Sequence, residues 1–238
     1  MAVQYANGKI VTNGLVLALD AGDRNSYTGS GTSWTDLSGN GNTGTLTNGP
    51  TYSSTNGGSI VFDGSNDYVD FGNPTSLNIS TSLTLESWVY FTNITTGAAK
   101  TIIARWGSGQ RSYKLAALVS SKNFYIDISD TGNNDIYRLS NTIITINIWY
   151  HVVGVYTSGV SPTLNVYVNG VLDNSTLAGT IPSSIYSGTS IFNIGTDVVV
   201  GGNIYQGNIS NSKIYNRALS AAEIQQNYNA QKSRFNII

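Results

Sequence analysis

Two glutamates, Glu86 and Glu223, and one histidine, His151, are the residues from which acid–base chemistry would have to be built. Glycoside hydrolysis needs two carboxyl groups facing each other across the scissile bond. Glu86 is followed by Ser87, Trp88 and Val89, with no second carboxylate beside it, and Glu223 stands in a helix-start pattern. A Ser-His-Asp arrangement would depend on His151, which strand alternation places on one face with Trp149, Val153 and Val155, a packing environment. One histidine and no cysteine exclude a His pair or a thiolate set for zinc, and also a disulfide framework. The chain therefore reads as non-enzymatic, with no catalytic residue assigned.

Oxygen ligands are better provided. Asp63-Gly64-Ser65-Asn66-Asp67 places Asp63, Asn66 and Asp67 in a short glycine-containing loop, a donor set suited to calcium. Asn208 or Asn211 would approach it from a later strand. The same aspartates can instead fold the turn through bonds to nearby amides. For a sugar ligand, an aromatic platform with polar groups around it is wanted. Trp106-Gly107-Ser108-Gly109-Gln110-Arg111 offers Trp106 and Arg111 in an exposed loop, unless the tryptophan folds over a sheet edge. Asn78-Ile79-Ser80 and Asn93-Ile94-Thr95 match N-glycosylation acceptors, which matter only in a eukaryotic secretory host.

The elements that would carry these residues are strands. Runs at 15–20, 59–62, 68–71, 83–91, 101–105, 113–119, 123–129, 136–139, 149–156, 190–194 and 207–215 are rich in β-branched and aromatic residues and bounded by Gly, Asn and Ser. Leu83, Leu85, Val89 and Phe91 share one face of their run, while residues 149–156 are apolar on both faces, as in a strand covered on both sides. Asn169-Gly170, flanked by apolar strands from residue 163 to 172, predicts a tight hairpin with positive φ at both turn residues. With no 10–15-residue helical pattern between strands, the chain reads as an all-β, two-sheet antiparallel sandwich. Ser220-Ala221-Ala222-Glu223 is a capping box with Leu219 and Ile224 at the staple positions, predicting one C-terminal helix over 221–232. Ile224 and Tyr228 would dock that helix on the sandwich, leaving its Gln and Asn residues outside. Residues 20–59 read as an irregular flap pinned by Trp34, Leu37, Leu46 and Tyr52, or as a functional loop.

The length of 238 residues suits one domain at 14–232, with an arm at 1–13 and a tail at 233–238. A net charge of −1 argues against nucleic acid as a partner, because such binders neutralise phosphates with basic surface. No stretch approaches the roughly 18 apolar residues of a membrane helix, and the first residues carry no secretory-signal pattern.

Six phrases in order resemble the LamG-like jelly-roll family of the concanavalin A-like lectin/glucanase superfamily. They are Trp34-Thr35-Asp36-Leu37-Ser38-Gly39-Asn40-Gly41-Asn42, then Ile60-Val61-Phe62-Asp63-Gly64-Ser65-Asn66-Asp67-Tyr68-Val69, then Leu83-Thr84-Leu85-Glu86-Ser87-Trp88-Val89. Trp149-Tyr150-His151-Val152-Val153-Gly154-Val155-Tyr156, Val166-Tyr167-Val168-Asn169-Gly170 and residues 207–220 complete the set. The resemblance implies a jelly-roll sandwich in a superfamily that holds lectins, hydrolases and structural modules. It also implies that a glucanase would carry Glu-x-Asp-x-x-Glu on one strand, which is absent here, and that relatives carry an acidic residue where this chain has Ser210. The flanks, through Asp20 and from Gln225 to Phe235, are similar to LamG-like proteins of tailed bacteriophages. That similarity implies a virion-surface protein: a capsid decoration or cement subunit bound to the major capsid protein or other virion proteins. It further implies a homo-oligomer, commonly a trimer, with the arm and tail at its contacts. The alternative is an extracellular or tail-fibre adhesin that binds a glycan, with calcium as its possible cofactor.

Overall fold

In the computed structural model, which describes residues 4–5, 8–197 and 203–237, two antiparallel sheets face each other across one core. In chain order the strands begin with a two-residue pair, β1 (Gln4–Tyr5) and β2 (Gly8–Lys9), followed by β3 (Leu15–Asp20) and β4 (Ser33–Trp34). Next come β5 (Gly44–Thr47), β6 (Thr51–Ser53), β7 (Ser59–Asp63), β8 (Tyr68–Asp70) and β9 (Leu83–Phe91). The middle of the chain supplies β10 (Ala99–Arg105), β11 (Tyr113–Leu118), β12 (Asn123–Ile128), β13 (Ile136–Ile143) and β14 (Trp149–Thr157). Then follow β15 (Thr163–Val168), β16 (Val171–Leu172), β17 (Asn174–Ala178), β18 (Phe192–Ile194), β19 (Gln206–Tyr215) and the helix α1 (Ala221–Gln231).

The larger sheet has nine strands in the order β17-β13-β12-β11-β10-β18-β8-β5-β4. The other has eight: β16-β15-β14-β9-β19-β7-β6, with β3 also on β19. The ten-residue β19 serves two neighbours along one edge, pairing β7 through Gln206 to Ile209 and β3 through Asn211 to Tyr215. Period-two alternation fills the core, since Leu83, Leu85, Val89 and Phe91 point inward from β9 and Tyr150, Val152 and Tyr156 from β14. The expected hairpin joins β15 to β16, with φ of 52° at Asn169 and 80° at Gly170, values that Asn and Gly tolerate.

The segment at 20–59 is more ordered than a flap. Its short strands extend both sheets, β5 pairing β8 and β6 pairing β7, while Trp34 and Leu46 are buried in the main core. The helix begins as its capping box requires, with the Ser220 hydroxyl accepting from the Glu223 amide and the Glu223 carboxylate accepting from the Ser220 amide. Its inner face, however, is Ile224, Asn227, Ala230 and Gln231, so two amides expected outside point into the protein. The tail likewise turns inward: Phe235, in the 3-10 turn Lys232–Phe235, is buried and stacks on Trp88 at 4.1 Å. Of the predicted arm, residues 1–3 and 6–7 lie outside the described residues, whereas Ile10 and Val11 are buried. Among the described residues no helix is long and apolar enough to cross a membrane.

Candidate binding site

The outer face of the nine-stranded sheet carries an open groove of about 210 Å³. Alternation explains its lining. Tyr113, Leu115 and Ala117 of β11 point to the core, so Lys114, Ala116 and Leu118 point outward. On β12 the outward residues are Tyr125 and Asp127, and on β13 Tyr137 and Leu139. Antiparallel register sets Lys114 opposite Asp127 and Asp127 opposite Tyr137, which gathers residues distant in sequence into one patch.

Lys114 is clamped between two carboxylates, its Nζ 3.7 Å from Asp127 Oδ2 and 3.5 Å from Asp197 Oδ2. The same ammonium lies 4.5 Å from the Trp106 ring centre and 5.5 Å from that of Tyr125, within cation–π range. Asn203, which lines the groove, donates to Asp197 at 2.8 Å and accepts the Ala99 amide, fixing that buried carboxylate beside Lys114. Oδ1 of Asp127 and Oδ1 of Asp197 make no hydrogen bond among the described residues. Buried oxygens without a donor are costly unless something supplies one. Burial raises the Asp127 carboxyl to about 7, against the nearby Lys114 charge. Asp197 is also raised, again by burial first and against Lys114. Tyr125 and Tyr137 meet edge to face, with centres 6.1 Å apart, and form the aromatic side of the groove.

The sequence-predicted residues fall in two places. Arg111 stands at the rim of this groove, bonded to Asp135 at 2.7 Å, with its guanidinium 5.7 Å from the Trp106 ring. Trp106 is not the exposed platform expected of a loop, being only 3% accessible, because its ring lies beneath the two cations. Asp63 and Asp67 form a turn lock where β7 of the eight-stranded sheet passes to β8 of the nine-stranded sheet. Asp67 Oδ2 accepts the Asp63 amide at 2.9 Å, and Asp63 Oδ1 accepts the Ser65 amide at 2.7 Å. Asn66 is exposed and its carbonyl accepts from Asn48. Burial raises the Asp67 carboxyl, partly offset by the Asp63 amide, while the Asp63 charge adds to the rise. Asn208 instead donates to Ser59, and Asn211 accepts from Lys213, so neither approaches as a ligand to this loop. Among the described residues no three His, Asp or Glu side chains gather to hold a metal, and each of these two carboxylates already has one oxygen on an amide. This set fits a turn better than the six to eight oxygens that calcium takes.

His151 and Glu86 are fully buried on the outer face of the eight-stranded sheet, beneath α1. Lys213 donates to Glu86 Oε1 at 2.9 Å, Asn227 donates to Oε2 at 2.6 Å, and His151 Nε2 lies 3.3 Å from Oε1. Burial would raise the Glu86 carboxyl, but Lys213 and His151 outweigh it and hold it down at about 2. With no opening to solvent, this cluster ties helix to sheet. Sequence reading missed Lys114, Tyr125, Asp127, Tyr137 and Asp197 as a group. Their one local signal is outward polar or aromatic residues alternating with core residues at 113–118 and 123–128.

Residues 63–225 match the profile of a family named Laminin_G_3, described as the concanavalin A-like lectin/glucanases superfamily. Among curated proteins, none matches the chain significantly by sequence. Among solved structures, the chain is similar to the binding domain of Paraclostridial Mosquitocidal Protein 1, at a TM-score of 0.69 and 19% identity over 92% of this chain and 52% of that one. It is also similar to domain 4 of AbnA, a GH43 extracellular arabinanase from Geobacillus stearothermophilus in complex with arabinotriose. There the TM-score is 0.65 at 17% identity, covering 90% of this chain and 98% of that one. Trypanosoma rangeli sialidase matches at a TM-score of 0.65 and 18% identity, over 95% of this chain and 34% of the sialidase. The chain thus spans about half of the toxin binding domain and about a third of the sialidase. At these identities the likeness is one of fold.

Proposed function

This chain belongs to the concanavalin A-like lectin/glucanases superfamily, and from that premise we propose that it is a non-catalytic module that binds a neutral oligosaccharide in the groove of its nine-stranded sheet. The observation that supports the reading is the combination, along one groove, of Tyr125 and Tyr137 with Lys114, Asp127 and Asn203, backed by the buried Asp197. Sugar hydroxyls both donate and accept, so they match such a mixed set, while ring C–H faces suit tyrosine. Asp127 and Asp197 hold one ammonium from two sides rather than facing each other across an open bond, which supports binding over hydrolysis. At about 210 Å³ the groove is smaller than the 300–1,000 Å³ typical of drug-sized ligand pockets, and it suits a ring or two of an open chain. The likeness to an arabinanase domain solved with arabinotriose makes arabino-oligosaccharides a first probe class.

The test is a glycan array followed by calorimetry on the hits, with calcium and with chelator. Asp127→Asn and Tyr137→Ala should each weaken binding about tenfold or more, with the melting temperature kept. Silence across neutral glycans would overturn the reading. Attachment to virus particles without any glycan requirement would replace it with the capsid-decoration alternative.

A further inference from the structure

The outer face of the eight-stranded sheet has a second recess, of about 230 Å³, framed by Trp149 of β14, Tyr90 of β9, Asn208 of β19, Asn56, and Ser53 and Ser59 at the β6–β7 edge. The geometry points to a second, independent site for a neutral sugar ring here, on the sheet opposite the proposed groove. The ligand chemistry follows from the lining. Among the described residues no charged side chain lines the recess, so the lining offers an anionic or cationic ligand no counter-charge. Trp149 and Tyr90 are half-buried, with ring centres 5.4 Å apart at 47°, leaving aromatic surface at the mouth. Around them stand the amides of Asn56 and Asn208 and the hydroxyls of Ser53, Thr55 and Ser59, the donor and acceptor types that sugar hydroxyls pair with.

The walls are held in place before any ligand arrives. Trp149 Nε1 donates to Asn56 Oδ1 at 3.3 Å, and the far side of the Trp149 ring rests on Phe235 at 4.7 Å. Asn208 Nδ2 donates to Ser59 Oγ at 3.0 Å, which orients its carbonyl oxygen without using it. Arg234 then staples the 53–59 loop from behind, donating to the carbonyls of Asn56 at 2.7 Å and Gly58 at 2.6 Å. Binding therefore orders little that is not already ordered, a condition that favours measurable affinity in a small site. Because the recess and the groove lie on different sheets, a chain with both could bridge two glycan strands, with avidity beyond either site alone.

The experiment uses the full chain, labelled with ¹⁵N, titrated to 20 mM with arabinotriose, cellotriose or maltotriose. The Trp149 indole resonance is assigned from Trp149→Phe. At least one trisaccharide should shift the Trp149 indole and the Asn208 side-chain amide saturably. The shift should persist in Asp127→Asn, whose groove is broken, and weaken at least tenfold in Asn208→Ala at unchanged melting temperature. Shifts at Trp149 that vanish in Asp127→Asn would reduce the protein to one site and overturn the inference. Absence of any Trp149 shift with all three sugars would overturn it too, whether or not the groove binds.

Discussion

Each sheet carries on its outer face a lysine set among carboxylate and aromatic side chains, and the two clusters differ in what lies over them. Lys213 and Glu86 are roofed by α1, whose Asn227 and Gln231 turn inward to complete the bonding, with Gln231 accepting from both Lys213 and the Trp88 indole. Trp88 is itself covered by Tyr228 and Phe235. Among the described residues no helix covers Lys114, Asp127 and Asp197, and one buried oxygen on each aspartate has no hydrogen-bond partner. The electrostatics are opposite in similar chemistry: close Lys213 and His151 outweigh burial and hold Glu86 down at about 2, whereas burial pushes Asp127 up to about 7 against a more distant Lys114. A sealed cluster in which both oxygens of the carboxylate are bonded specifies how elements dock, whereas one beside an open groove leaves aromatic and polar side chains facing solvent.

The sharpest way to break this comparison is to remove each lysine. Lys213→Met leaves Glu86 buried opposite a thioether, and removing one partner of a buried pair costs about 3–5 kcal/mol. Lys114→Met should cost less than half as much, because the Asp127 carboxyl can take up a proton near neutral pH. Urea unfolding of both variants decides the matter, and equal losses would show that the two clusters do the same structural work.

Acid titration of stability sharpens it further. Glu86 has a folded pKa of about 2, below the ordinary 4.5, so its contribution is present above 4.5 and disappears as pH falls toward 2. The shift corresponds to about 3 kcal/mol. Glu86→Gln should therefore flatten the stability profile between pH 4.5 and 2. Asp127 runs the other way: its folded pKa is raised from 3.8, so its favourable contribution is present below about 4 and is lost as pH rises through about 7. Asp127→Asn should flatten the neutral side and leave the acid limb unchanged.

The reasons one cluster was harder to read from sequence than the other lie in how each is assembled. Long alternating runs such as 83–91 and 149–157 announce their strands, and the capping box announces the helix start. The short strands β4, β5 and β6 gave no signal, because two to four residues rich in Gly, Ser and Thr cannot show a period. Asn227 and Gln231 ordinarily mark a helix's wet side. Their inward turn depends on charges at positions 86 and 213, on two other elements. The groove is hidden for a similar reason: Lys114, Asp127 and Tyr137 become neighbours only through strand register. Trp106 and Arg111 lay within reach of sequence reasoning because they adjoin in the chain, and they mark the edge of the patch rather than its centre.

The smallest expected effects belong to ligand binding, where the open cluster should respond and the sealed one should not. Tyr137→Ala removes the half-buried ring that packs on Tyr125 at the groove and should weaken a bound oligosaccharide about tenfold, a loss of about 1.4 kcal/mol. Tyr228→Ala, which strips a ring from above Trp88, should leave that affinity unchanged. The pH dependence is finer still. Between pH 6 and 8 the ionised fraction of Asp127 rises roughly tenfold. A carboxylate only accepts, while the protonated acid donates as well and still binds a hydroxyl, so affinity should rise by only about threefold over that range. Calorimetry at the two pH values checks this, with Asp127→Asn as the flat reference. A slope that survives in Asp127→Asn would mean that the titrating group sits elsewhere, and that the unroofed cluster is not what the ligand meets.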